Sequence, residues 1–202
     1  DPDLPRTAGD LVNQLPEDEL ASLLHRYADE RFARHIARGI VAARPLSTTI
    51  ELAEVVRSAV PAAARRTGGH PATRTFQALR IAVNDELAAL DAALPVILER
   101  LAPGGIAVCL SYHSLEDRRV KRAFAAAARG CICPPGLPVC GCGRTPLVEP
   151  VVRRPERPSE AELADNPRAS AARLRAVRRL PADDLDSNDL DTDDLDSDEG
   201  SP

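Results

Sequence analysis

Gly104-Gly-Ile-Ala-Val-Cys-Leu-Ser-Tyr-His-Ser-Leu-Glu-Asp-Arg-Arg-Val-Lys-Arg-Ala-Phe124 is the stretch that decides the fold. Two glycines after Pro103 punctuate the chain. Ile106–Leu110 is then a short apolar run with two β-branched residues, which predicts a strand buried on both faces. Ser114, with an acid three residues on at Asp117, predicts a helix N-cap directly after it. That helix would bury Val120 and Phe124 and expose Arg118, Arg119, Lys121 and Arg122. The polar cluster Ser111, Tyr112, His113 and Ser114 therefore falls where a strand ends and a helix begins. Ligands of open α/β sheets bind beyond the carboxyl ends of strands, and a helix N-terminus offers free N–H groups to phosphate. The plainer alternative is that Ser114 only caps and His113 only packs.

Outward from this turn, the longest apolar pattern lies just upstream. Phe76, Leu79, Val83, Leu87, Leu90, Leu94, Ile97 and Leu101 recur at steps of three and four, predicting one long core-facing helix from about Thr73 toward Leu101. Pro95 should kink it or start a new helix. Arg74, Gln77, Arg80 and Asn84 fall on another face at helical spacing, a polar stripe able to touch RNA, a cofactor or another segment. Ala172–Val177 alternates like a sheet-edge strand with one wet face. Glu149–Ala164 is a Pro-rich connection with a short helix near Glu160–Leu163.

The first third of the chain predicts helices only. Residues 1–10 are polar and expected to be loose. Pro16 and the acids after it open a helix with Leu20, Leu23, Leu24 and Tyr27 on its apolar face. A second, from about Asp29, buries Phe32, Ile36 and Ile40 and exposes Arg31, Arg34, Arg38 and Arg44. Thr48 to Glu51 is a capping box for a third, with Leu52, Val55 and Val56, stopped near Pro61. This unit is expected to have little core of its own. Its arginines are either a solvated face or an RNA-facing one.

Composition bounds the function. The chain has 202 residues, 44% hydrophobic but only 2% aromatic, so one domain with a core of Leu, Val, Ile and Ala is expected, with or without an appendage. No apolar run is long enough to span a membrane. The net charge of −5 is uneven: from Asp183 onward there are ten acidic residues and no basic one. Without them 21 acidic residues face 26 Lys and Arg, a net of +5, which suits an RNA partner or an ordinary solvated surface. Leucines spaced by five among those aspartates fit neither helix nor strand, so residues 181–202 read as a disordered acidic tail.

Cysteine usage leaves two readings. Cys131, Cys133, Cys140 and Cys142 form two Cys-x-Cys pairs that could hold zinc tetrahedrally, or simply be thiols of a Pro-rich loop spanning 131–142. Cys109 reads as a small core residue. His25, His35, His70 and His113 have no Cys or Ser partner at a recognised spacing. Glu116 and Asp117 read as first-turn acids that favour the helix dipole. Gly68 and Gly69 follow no strand and form no nucleotide-binding pattern.

Three blocks carry a family resemblance. Ser111-Tyr-His-Ser-Leu-Glu-Asp-Arg-Arg-Val-Lys-Arg-Ala-Phe124 closely resembles the signature of the bacterial 16S ribosomal RNA cytosine-N4 methyltransferases. His70-Pro-Ala-Thr-Arg-Thr-Phe-Gln-Ala-Leu-Arg-Ile-Ala-Val-Asn-Asp-Glu-Leu87 resembles their other hallmark, and Asn166-Pro-Arg-Ala-Ser-Ala-Ala-Arg-Leu-Arg175 their C-terminal strand motif. The resemblance runs in order from about Leu11 to Arg179. It implies S-adenosylmethionine as cofactor, 16S rRNA or the small ribosomal subunit as partner, and a cytoplasmic location; it leaves a homodimer open.

The fold so implied is α/β: the C-terminal part of a Rossmann-like methyltransferase sheet (70–180) plus an inserted all-helical substrate-recognition subdomain (1–69). Near the site the resemblance places His113 and Ser114, with Arg74, Gln77, Arg80, Asn84, Ser111 and Tyr112 as candidates for RNA contact. The family's Gly-rich cofactor turn, its ribose-binding acid and its Pro-containing loop have no counterpart here. The sheet's remaining strands are therefore expected from elsewhere, in a longer protein of which this chain, opening at Asp1-Pro2, looks like a piece. Alone it should neither bind the cofactor nor turn over. The competing readings are a stand-alone basic RNA-binding or zinc-containing adaptor, and a truncated pseudo-enzyme.

Overall fold

A computed structural model describes residues 5–64, 70–134 and 141–181. The expected acidic tail lies, but for Pro181, outside the described residues. The chain is mixed α/β, with helices dominating its first half and a small antiparallel sheet in its second.

Five helices make the first core. Residues 5–10, expected to be loose, lead into a helix: α1 (Ala8–Gln14) starts on a capping box in which Thr7 accepts from the Asp10 amide and Asp10 accepts from the Thr7 amide. α2 (Glu17–Ala28) follows Pro16 and ends at Asp29, which turns left-handed at φ 47°. Asp is one of the few residues that tolerate this conformation, so the next helix starts later than its periodicity implies, as α3 (Ala33–Ala42). α4 (Thr49–Ala59) carries the expected Thr48–Glu51 capping box. Leu20, Leu24, Ile36, Ile40 and Val56 are sealed from solvent, so this unit has a substantial core, contrary to expectation. Arg44, expected on the exposed face, is half-buried, its Nε donating to the Val12 carbonyl at 2.8 Å. Asn13 and Leu46 exchange two hydrogen bonds of 2.9 Å beside it.

The predicted long helix is two. α5 (Thr73–Asn84) ends at Asp85, again left-handed at φ 49°, and α6 (Glu86–Arg100) restarts at once. α6 continues through Pro95, which lies on its exposed side where the carbonyl it leaves unpaired can meet water. The break changes what each half faces. Ala78 and Leu79 of α5 join the first core, whereas Leu94 and Leu98 of α6 face the sheet. Leu98 takes the buried place expected for Ile97, which is exposed.

The sheet has the order β1 (Ile106–Ser111), β3 (Arg173–Arg179), β2 (Val148–Pro150), antiparallel throughout. β3 is its central strand, not an edge, and the short β2 lies within the Pro-rich connection. Val108 faces Ala176 and Ser111 faces Arg173. α7 (Ser114–Ala127) packs Val120 and Phe124 against the face that carries Ala107, Cys109 and Val177. The opposite face of β1 is bare. Ile106, Val108 and Leu110 are 48%, 60% and 50% exposed, so among the described residues the strand is covered on one face only. α8 (Glu160–Asp165) and a 3₁₀ turn at Pro167–Ala171 lead into β3.

A third, small cluster joins the two halves. Leu115, in the first turn of α7, is buried against Ile81 and Leu87, with Tyr27 packed on them. Burying such a leucine contributes roughly 1.5–3 kcal/mol.

Candidate functional site at the turn between strand and helix

The three resemblance blocks meet at the β1–α7 turn. His113, not Ser114, is the cap of α7: its Nδ1 accepts from the Glu116 amide at 3.3 Å. Imidazole nitrogen competes with hydroxyl for this role because its backbone is extended and its ring reaches back over the first turn. Ser114 becomes the first helical residue and is exposed. Glu116 closes the turn from the other side, accepting the Tyr112 amide through Oε2 at 3.0 Å. The first-turn acid expected for the helix dipole is thus also a capping partner.

α5 and α6 supply the second wall. Arg80 donates Nε to Glu86 Oε1 at 2.8 Å and Nη2 to Glu86 Oε2 at 2.9 Å, and Asn84 donates to the same Oε1 at 3.3 Å. Burial disfavours the Glu86 anion, but the Arg80 and Asn84 hydrogen bonds outweigh it and hold its carboxyl below the usual range. Ligand atoms of Glu86, His113 and Glu116 all lie within 4.8 Å of one another. His113 Nε2 is 3.2 Å from Glu116 Oε1 but lacks hydrogen-bond geometry, and it is sealed from solvent. Burial pushes the His113 pKa down and Arg80 and Arg119 push the same way, against the pull of Glu116 and Glu86. With Nδ1 occupied as an acceptor, the neutral ring carries its proton on Nε2, which has no well-placed acceptor among the described residues.

The third wall is β3. Arg175 grips Asp117 with two hydrogen bonds, 2.7 and 3.0 Å, both side chains largely buried. The Arg175 hydrogen bond is the main cause that holds the Asp117 carboxyl low, against its burial. Ser111 is buried beneath the turn, and its Oγ finds no well-placed hydrogen-bond partner among the described residues. Tyr112 is exposed. Burial raises the Cys109 thiol, in keeping with a small core residue.

The polar stripe of α5 is divided. Arg80 and Asn84 join the His113 cluster. Arg74 and Gln77 instead line a groove of about 640 Å³ with His70, Arg31, Phe32 and Val60. Glu86, Glu116 and the Asp117–Arg175 pair were not expected as site residues. Asn84-Asp85, two residues that tolerate left-handed backbone, is the sequence signal that would have broken the helix and brought Glu86 back to Arg80.

Three of the four loop cysteines are together. The sulfurs of Cys131, Cys133 and Cys142 lie within 4.8 Å of one another; Cys140 lies outside the described residues.

A donor cradle for S-adenosylmethionine would need a glycine turn between a strand and the helix after it. Here Gly104, left-handed at φ 77°, and Gly105 precede β1, while the turn after it is Tyr112-His113 with His113 as cap. The described residues therefore do not fit that cofactor.

Residues 1–180 match the family model described as the MraW methylase family. Relatives called "Ribosomal RNA small subunit methyltransferase H" include one from Heliobacterium modesticaldum, 54% identical over 182 residues, and one from Symbiobacterium thermophilum, 54% identical over 183. A third, from Acidothermus cellulolyticus, is 56% identical over 183 residues. The matches cover 89% of this chain but only 58%, 58% and 55% of those relatives. The chain belongs to the MraW methylase family.

Proposed function

We propose that this chain supplies the acceptor side of a ribosomal RNA methyltransferase. In the whole enzyme, the exocyclic N4 amine of a cytosine in 16S rRNA would take a methyl group from S-adenosylmethionine. Helices α1–α4 would be an inserted substrate-recognition subdomain (1–69). The sheet and α7 (within 70–180) would complete a Rossmann-like core whose other strands lie outside this chain. The activity would be cytoplasmic, where small-subunit RNA is assembled; a homodimer is compatible with this arrangement.

One observation carries the reading. The two hallmark blocks and the C-terminal strand motif, distant in sequence, converge on the β1–α7 turn through Glu86 and His113 on one side and Asp117 and Arg175 on the other. Structural capping alone accounts for His113 and Glu116, but not for a half-buried three-member cluster in which Glu86 is held by Arg80. The bare apolar face of β1 also supports further strands or helices packing there.

The test is calorimetry with S-adenosylmethionine on this chain, alongside a salt series with small-subunit RNA. Weak, salt-sensitive RNA binding and no cofactor uptake are expected. Tight stoichiometric cofactor binding to this chain alone would overturn the division of labour.

A further inference from the structure

We propose that Cys131, Cys133 and Cys142 form a structural zinc site. Cys131 Sγ and Cys142 Sγ are 3.8 Å apart, and all three sulfurs lie within 4.8 Å of one another. Tetrahedral zinc with bonds of about 2.3 Å sets its ligand sulfurs about 3.8 Å apart, so this edge already has the length that the metal requires. A disulfide needs about 2.05 Å and joins only two sulfurs.

The surroundings suit thiolates. The Cys133 amide donates to Cys131 Sγ at 3.4 Å, the kind of N–H···S contact that stabilises a charged sulfur. On binding, each thiol releases its proton to water as its sulfur bonds the metal. Three thiolates leave one coordination position for a ligand beyond the described residues.

The segment also needs such a link. Between α7 and β2 no described residue is buried, and the described part contains neither helix nor strand. Its far end returns to α7, where Leu147 donates to the Ala127 carbonyl and Arg144 to that of Ala126, both at 2.8 Å. A metal would close the loop above those anchors where no apolar core can.

The experiment is elemental analysis of the reduced, desalted chain by inductively coupled plasma mass spectrometry, with thiols counted before and after chelation. About one zinc per chain is expected. Cys131→Ser, Cys133→Ser and Cys142→Ser should each fall below about a tenth of that, and Cys109→Ser should keep it. Cobalt substitution gives a second readout on the unaltered chain: intense thiolate-to-cobalt absorption is expected. A metal-free chain that also shows no such absorption, equal loss in Cys109→Ser, or a Cys131–Cys142 disulfide under the same conditions would overturn the site.

Discussion

Arg80 and Glu86 stand on opposite sides of the left-handed residue Asp85 and hold each other by two hydrogen bonds of 2.8 and 2.9 Å. In a continuous helix residues six apart would be separated by about 9 Å along the axis and lie on different faces. The ion pair therefore exists only because the helix breaks, and the same break delivers Glu86 to His113.

The break should be sensitive to the residue at its centre. Asp85→Val places a β-branched side chain at φ 49° and should cost about 1–2 kcal/mol in urea unfolding. Asp85→Gly should be neutral or slightly stabilising at the same position. Equal losses from both would mean that the Asp85 side chain, not the backbone, matters.

His113 should titrate below a free histidine, because burial and Arg80 both disfavour its charge. Arg80→Gln removes one of those causes and leaves Glu86 and Glu116 facing the ring, so its pKa should rise. Imidazole chemical shifts against pH measure this. The sign for stability follows: a depressed pKa gives a contribution present in full above about 6.5 and lost as pH falls through the folded value. A flat or downward response to Arg80→Gln would contradict the electrostatics described.

Asp117 and Arg175 tie α7 to β3, and the two carboxylate oxygens are both used. Arg175→Ala leaves a largely buried carboxylate without its partner and should cost about 1–3 kcal/mol. Because the Asp117 pKa is lowered, its contribution is present above about 3.9 and declines as pH falls through the folded value. Asp117→Asn should flatten that part of the acid unfolding curve.

The bare face of β1 predicts self-association. Val108 is 60% exposed, so Val108→Lys should change unfolding free energy by less than about 0.5 kcal/mol while lowering light scattering at high concentration. A loss of about 2 kcal/mol would instead show that this chain covers the face itself.

Much of the helical layout was legible locally. The Thr48–Glu51 box, Pro16 with its acids, and the Ile36–Ile40 spacing each mark a helix within one or two turns of chain. α1 is hidden from local reading because its cap, Thr7 with Asp10, sits in a polar stretch with few apolar residues to announce it. The alternating arginines of β3 look like the wet face of an edge strand. Arg175 in fact spends its charge on buried Asp117, and β2 pairs the strand's other side. In the turn, the order Ser111 to Ser114 marked the place but not the roles: the cap went to His113.

The sequence by itself determined most of the helices, the strands β1 and β3, and which blocks mark the family, since caps, periodicity and motifs act within a few residues. Only the tertiary structure decided that those blocks meet, that Glu86 turns back to Arg80 and His113, and that one face of β1 stays open. These depend on the left-handed backbone at Asp85, which Asn84-Asp85 permits but does not dictate, and on antiparallel register between strands more than sixty residues apart, which no local pattern encodes.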